Sequence, residues 1–165
     1  MLMIISDSRC LIDLRKASLL DALLALPYEF LIPNTLFEEE LIEFTAAQKR
    51  ELIRRGLKVI DLPGEVVLRA QSVVRQLPRL SVHDGFVFAL AENHPGCILL
   101  TEDNELRNFA SQNNLEVHGM LWVTDELRRN NVKSTAALRA LSDDPTVRPP
   151  RKEPAAIIKL QAGLK

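Results

Sequence analysis

The sequence has few of the residues that cross-link small secreted proteins or bind soft metals. Only two cysteines occur in 165 residues, Cys10 and Cys97, and each lies in or beside an apolar segment. They form neither a disulfide framework nor a metal-ligand spacing, so we expect buried thiols in a reducing compartment. The three histidines are scattered and show no zinc-ligand pattern.

Long apolar runs and an excess of either charge are also missing. No apolar run approaches the roughly 20 residues that cross a bilayer, and the first residues do not resemble a secretory signal. We therefore expect a cytoplasmic protein with no membrane association. The formal net charge of −1 excludes a generally basic nucleic-acid-binding protein, so a nucleic-acid partner would need local patches or bound cations.

What the sequence does contain is an alternation of short apolar runs with amphipathic segments. The apolar runs predict buried strands at 2–6, 30–32, 57–62, 97–100 and around Val117. Helices are predicted between and after them, including a short one at 10–14, a longer one at 19–26, and others at 35–44, 48–55, 64–77, from Asp84, 105–111 and 120–129. This alternation predicts an α/β fold, a central parallel sheet of four to five strands flanked by helices.

The composition changes after residue 130. Residues 1–130 hold the strand and helix pattern, whereas 131–165 contain several prolines, one short predicted helix and a terminal helical turn. We therefore predict an α/β domain at 1–130 and a C-terminal helical extension at 131–165.

Acidic residues stand where the predicted strands end or the predicted helices begin. Asp7 follows the first strand, Asp103 lies just past the fourth, and Asp84 begins the helix that leads into the fourth. Glu39 lies one turn into the helix after the second strand. Parallel sheets carry functional groups outside the carboxyl ends of their strands, and a reversal of winding would place strands one and four side by side.

Four carboxylates in one crevice would repel one another unless protons or cations neutralised them. Mg²⁺ and Mn²⁺ prefer such oxygen ligands and leave room for substrate phosphates. A cluster of this kind without a nucleophilic serine or cysteine indicates metal-activated water that attacks a phosphodiester.

Each acid also has a purely structural interpretation. Asp7 or Asp103 could cap the helix that follows it, and Ser81 with Asp84 has the spacing of a capping box. Glu39 belongs to a run of three glutamates, which is typical of a solvated helix.

Five segments resemble the PIN-domain family in their order and spacing, over roughly residues 1–130: SDSRCLIDL, IPNTLFEEEL, LSVHDGFVFALA, LLTEDNELRNFA and EVHGMLWVTDEL. The resemblance implies a Rossmann-like PIN fold with a Mg²⁺- or Mn²⁺-dependent site that cuts single-stranded RNA. Many members are VapC-type toxins restrained by a small antitoxin protein. The resemblance places the family's four acids at Asp7, Glu39, Asp84 and Asp103, and a polar residue that lines the site at Thr101, where we expect a substrate contact.

On this basis Asp7, Asp84 and Asp103 are the predicted metal ligands, and Glu39 is a further ligand or orients the attacking water. A helical wheel puts Glu40 nearer the apolar side of that helix, so Glu40 is an alternative to Glu39. An alternative function is a catalytically inactive PIN scaffold that binds RNA or a protein. A receiver-type signalling domain would need an acidic pair after the first strand and a lysine directly after the last strand, and the sequence has neither at those places.

The predicted helix pair at 21–26 and 36–44, with the adjacent Tyr28, carries more apolar side chains than one face of a small sheet needs. These side chains are Leu23, Leu24, Leu26, Tyr28, Phe37, Leu41, Ile42 and Phe44. An exposed apolar surface usually marks a binding site, so we predict a homodimer or a docked antitoxin helix. The alternative is that the tail, residues 149–164, covers this surface.

Overall fold

The computed structural model describes residues 1–130 of the chain. The predicted extension at 131–165, with the helix expected there and its proposed covering role, lies outside the described residues. The strands are β1 (Met3–Ser6), β2 (Glu29–Pro33), β3 (Leu57–Ile60), β4 (Ile98–Leu100) and β5 (Glu116–His118). The helices are α1 (Ser8–Lys16), α2 (Leu20–Leu24), α3 (Asn34–Glu39), α4 (Ala46–Arg54), α5 (Gly64–Gln76), α6 (Val82–Glu92), α7 (Asn104–Gln112) and α8 (Met120–Arg129).

The five strands form one parallel sheet in the order β3-β2-β1-β4-β5. The first and fourth strands are therefore neighbours, as the predicted reversal of winding requires, and Ser6 lies opposite Leu100. The ladder continues one residue further, because the backbone N–H of Asp7 donates to the Leu100 carbonyl over 3.1 Å. The predicted α/β fold with a parallel sheet of four to five strands is confirmed.

The central strands are buried on both faces. Ile4 and Ile5 of β1 point to opposite faces, and neither is exposed to solvent; the same holds for Leu99 and Leu100 of β4. Helices therefore cover both sides of the sheet, which is why these strands read as continuous apolar runs instead of alternating ones.

Helix lengths near the second strand differ from the prediction. The first helix, α1, has nine residues and α2 has five, so the expected short and long helices are reversed. Helix α3 ends at Glu39 and does not continue to residue 44. A new helix begins at once, because Thr45 and Gln48 form a capping box at the start of α4.

Most of the apolar side chains in the predicted surface on residues 21–44 are buried. Six of its eight side chains are buried in the core, namely Leu23, Leu24, Leu26, Phe37, Leu41 and Phe44, and Tyr28 is partly buried against it. Only Ile42 is well exposed, at 79%. The early end of α3 explains the difference, because the turn that follows directs Leu41 and Phe44 inward. Within residues 1–130, no helix combines the length and apolarity needed to cross a membrane.

Helices α5 and α6 cross at Gly85, the residue after Asp84. A Cβ atom at Gly85 would lie 2.7 Å from Val74 Cγ2 and 3.0 Å from the Ala70 carbonyl oxygen. The close crossing therefore needs glycine, although alanine favours helices by about 1 kcal/mol.

We predict that Gly85→Ala lowers the free energy of unfolding by about 1–3 kcal/mol, because overpacking outweighs the gain in helix propensity. Gly64→Ala is the matched control, since Gly64 also lies in a helix and its Cβ would meet no atom within 4 Å. Urea denaturation of both variants measures the difference. Equal or higher stability of Gly85→Ala would contradict the packing argument.

Candidate functional site

Asp7 is a buried carboxylate at the end of β1. Its side chain is 7% exposed, and Oδ1 accepts from the backbone N–H of Cys10 over 2.8 Å, which caps α1. Oδ2 accepts from the Thr101 hydroxyl over 2.5 Å, and the Cys10 thiol also hydrogen-bonds to the carboxylate. Burial raises the pKa of Asp7 to about 6, and the negative charge of Asp84 adds to this shift, although the hydrogen bonds oppose it.

Thr101 connects two of the predicted site acids. Its hydroxyl donates to Asp7, and the same oxygen accepts from the backbone N–H of Asp103 over 3.2 Å. The Thr101 side chain has no solvent exposure. This burial favours a role in orienting Asp7 over the substrate contact that we predicted for Thr101.

Asp84 belongs to the first turn of α6. Its backbone N–H donates to the Ser81 hydroxyl over 3.0 Å, and its Oδ2 accepts from the Ser81 backbone N–H over 3.1 Å. The predicted capping box is therefore present. The pKa of Asp84 is raised, first by partial burial and then by the negative charges of Asp103 and Glu40.

Asp103 is the N-cap of α7, and its Oδ1 accepts from the backbone N–H of Leu106 over 2.9 Å. The preceding acid, Glu102, serves a different helix, because its Oε1 accepts from the Met120 backbone N–H over 2.5 Å at the start of α8. A Cβ atom at Gly119 would lie 2.0 Å from that oxygen, so this cap requires glycine there. Glu102 thus caps α8, whereas Asp103 is one of the charges that act on Asp84.

The two glutamates at the end of α3 have different partners. Glu40 Oε1 accepts from the Ser8 hydroxyl over 2.8 Å, and Glu40 is one of the charges that raise the pKa of Asp84. Glu39 Oε2 lies 2.7 Å from His83 Nε2, and the Glu39 side chain is 59% exposed. The geometry therefore favours Glu40 over Glu39 as the fourth acid facing the crevice.

The sequence did not predict the contacts that three side chains make with these acids. Ser8 holds Glu40, the Cys10 thiol faces Asp7, and His83 contacts Glu39. The contact of Cys10 with Asp7 could have been predicted, since the third residue after an N-cap aspartate lies over that carboxylate. The partners of Ser8 and His83 are 32 and 44 residues away, and no local pattern indicates them.

The donor set suits a hard divalent cation. Asp7, Asp84, Asp103 and Glu40 offer only carboxylate oxygens, and burial, together with the charges of neighbouring acids, raises the pKa values of Asp7 and Asp84, so a cation would stabilise their ionised forms. Helix capping engages Oδ2 of Asp84 and Oδ1 of Asp103, so each carboxylate has a second oxygen that capping does not use. Among residues 1–130, no three acidic, imidazole or thiol groups converge closely enough to hold an ion as they stand. A bound cation would therefore draw these carboxylates toward it.

We predict that, in protein treated with a chelator, Asp7 makes the free energy of unfolding fall as the pH rises. The pKa of Asp7 rises from 3.8 to about 6 on folding, so its contribution is complete below pH 3.8 and is lost as the pH rises to about 6. The loss is on the order of 3 kcal/mol. Asp7→Asn removes it, so the free energy of unfolding of that variant should fall less between pH 4 and 6.

Urea denaturation at several pH values with EDTA tests this expectation. Asp61→Asn is the control, because Asp61 also follows a strand but is exposed. This control should keep the pH dependence of the wild-type protein. Parallel curves for Asp7→Asn and wild type would contradict the assignment.

A sequence profile described as PIN domain matches residues 3–161. The match includes all five strands and all of the acids described above, and it extends into the predicted C-terminal extension. No curated protein matches the chain. The parallel sheet and the crevice at its carboxyl edge agree with the profile, and the chain belongs to the PIN-domain family.

Proposed function

We propose that this protein is a Mg²⁺- or Mn²⁺-dependent endoribonuclease that hydrolyses phosphodiester bonds of single-stranded RNA. One observation carries the proposal: Asp7, Asp84 and Asp103 come from separate elements, yet, beyond the effect of burial, the charge of Asp84 raises the pKa of Asp7 and the charge of Asp103 raises the pKa of Asp84. A fold gains nothing from keeping like charges near one another, so such an arrangement usually serves binding or catalysis. Membership of the PIN-domain family supports the nuclease reaction.

In this proposal Asp7, Asp84 and Asp103 hold the cation. When bound, Mg²⁺ or Mn²⁺ acts as a Lewis acid and lowers the pKa of a coordinated water. Asp7 has the most fixed position, because donors from Cys10 and Thr101 hold both of its oxygens. Rigid ligands of this kind keep reacting groups in place and reduce the reorganisation that the reaction requires.

Glu40 takes the role first assigned to Glu39. Its carboxylate, held by Ser8, is directed toward Asp84 and orients the attacking water or accepts its proton. Thr101 keeps Asp7 and Asp103 in register without touching the substrate. The cation has a second task in binding, because an acidic crevice would otherwise repel the RNA backbone.

We further propose that the protein acts in the cytoplasm as the toxin of a toxin–antitoxin pair. The toxin role is supported by the sequence resemblance to VapC-type proteins. The cytoplasmic location is supported by Cys10 and Cys97, which are buried free thiols and suit a reducing compartment. Ile42, exposed two residues beyond Glu40, offers an apolar contact for a small antitoxin or for a second copy in a homodimer. Co-purification with the product of a neighbouring reading frame tests the antitoxin, and light scattering tests the dimer.

A second candidate is an inactive PIN scaffold that binds RNA or a protein. It is favoured by the helix caps, because Asp7, Asp84 and Asp103 all have structural roles and no three donors converge within the described part of the chain. The cleavage and metal-binding experiments that follow separate the two candidates.

We predict that Asp7→Asn and Asp103→Asn each reduce RNA cleavage by at least about 100-fold while the protein stays folded. Loss of a metal ligand removes several kcal/mol of transition-state stabilisation, and each 1.36 kcal/mol is tenfold in rate. The double variant should be little worse than either single one, since ligands of one cation act as a unit. Asp61→Asn, an exposed acid beyond β3, is the control and should cleave normally. Full activity of purified Asp103→Asn would refute the assignment.

The two glutamates give a separate expectation. Glu40→Gln should reduce the cleavage rate at saturating Mn²⁺, because it changes a group inside the crevice. Glu39→Gln keeps a hydrogen-bond acceptor for His83 and should retain most of the activity. The reverse order would restore Glu39 as the site residue.

We also predict that Mn²⁺ stabilises the wild-type protein and has little effect on Asp84→Asn. A ligand at 100 times its dissociation constant adds about 2.7 kcal/mol, which corresponds to a rise in Tm of roughly 5–10 °C for a chain of this size. Thermal melts of both proteins with and without Mn²⁺ measure this shift in Tm. Equal shifts in both proteins would place the ion elsewhere, and no shift in wild type would favour the scaffold.

A further inference from the structure

His83 connects the first turn of α6 to the end of α3. Its Nε2 lies 2.7 Å from Glu39 Oε2, and its Nδ1 lies 3.7 Å from Glu40 Oε2. The imidazole packs edge-on against Phe86, with 6.3 Å between ring centroids, and 26% of the side chain is exposed. His83 also directly precedes Asp84, so one ring lies beside acids from two sides of the crevice.

Helix α3 depends on such tertiary contacts. It has only six residues, and its N-cap, Pro33, offers no side-chain hydrogen bond. Helices this short are not stable alone, because the cost of nucleation exceeds the gain from so few hydrogen bonds. Leu36 and Phe37 are buried and fix the middle of the helix, but they do not constrain the glutamates at its end.

Two polar side-chain contacts hold the glutamates at that end, beside the buried Leu41. The Ser8 hydroxyl donates to Glu40, and His83 bonds to Glu39. At 3.7 Å the second imidazole nitrogen is beyond hydrogen-bond distance of Glu40. The contact to Glu39 thus holds the helix end without occupying the Glu40 carboxylate.

We propose that His83 is a positioning residue, which holds Glu39 as an anchor so that the adjacent Glu40 faces Asp84 and the crevice. The consequence for metal binding rests on the proposed function, whereas the anchoring itself does not. Neighbouring helical residues point about 100° apart. Turning Glu39 toward His83 therefore directs Glu40 toward Ser8 and the site. In this assignment the two glutamates have unequal roles, one structural and one functional.

The proposal predicts that His83→Ala and Glu39→Ala have similar effects. Both release the end of α3, and both should raise the Mn²⁺ concentration at half-maximal effect by about 10- to 100-fold, as is typical when a group that orients a ligand is removed. His83→Gln should recover part of the loss, since its amide can also donate to Glu39. His94→Ala is the matched control, because His94 lies just after the same helix and its imidazole contacts the Leu90 carbonyl, not an acid of the site. The Mn²⁺ midpoint of this variant should equal that of wild type.

The decisive comparison uses Glu40→Gln as the background. If His83 acts through Glu40, His83→Ala should have little further effect on the Mn²⁺ midpoint of the Glu40→Gln protein. If His83 instead has a general structural role, His83→Ala should lower the Tm by the same amount in wild type and in Glu40→Gln, and its effect should add in full to that of Glu40→Gln. Midpoints are measured by thermal shift as well as by RNA cleavage, so the comparison does not depend on activity.

Hydrogen exchange provides a readout that needs neither metal nor RNA. The amides of Glu40 and Leu41 both donate to the Leu36 carbonyl at the end of α3. They should exchange faster in His83→Ala and in Glu39→Ala than in wild type or His94→Ala. If wild type neither binds Mn²⁺ nor cleaves RNA, the proposed function fails and exchange alone decides the anchoring. Unchanged exchange in His83→Ala, or full additivity with Glu40→Gln, overturns the proposal.

Discussion

The parallel pairing of β1 with β4 is the constraint on which the rest of the structure depends. Ser6 lies opposite Leu100, and the next residues, Asp7 and Thr101, are therefore brought into hydrogen-bond contact. The chain leaves these two strands in opposite directions, since β2 lies on one side of β1 and β5 lies beyond β4. The carboxyl edge between them is consequently left open as a crevice, with one buried carboxylate already fixed in it.

The acids around that crevice have two roles at once. Asp7, Asp84 and Asp103 each accept a backbone N–H at the start of a helix, where the positive end of the helix dipole favours negative charge. Capping helps to offset the repulsion among carboxylates that stand close together. The structural and functional interpretations of Asp84 and Asp103 are thus compatible, because the cap engages one oxygen and a cation can bind the other. Glu102, which caps α8 from inside the core, shows what an acid with only the structural role looks like.

Two of the predictions that failed concern the segment that follows β2. The predicted helix at 35–44 is cut short at Glu39, because a capping box at Thr45 starts a new helix and the intervening turn buries Leu41 and Phe44. Most of the expected apolar surface is therefore buried, and Ile42 stays exposed. The sequence left Glu39 and Glu40 as alternatives, because the difference between them depends on Ser8 and His83, which approach from other parts of the chain.

The sequence by itself determined the α/β class, the order of the strands and helices, and the positions of three acids at strand ends or helix starts. These follow from apolar runs, capping residues and the fixed handedness of crossovers, all of which act over short stretches of chain. Only the tertiary structure decided that Thr101 is buried with hydrogen bonds to Asp7 and Asp103, and that Glu40 accepts from Ser8 whereas Glu39 contacts His83. The orientation of a side chain at a crevice depends on partners tens of residues away, and the packing of the whole sheet brings those partners together.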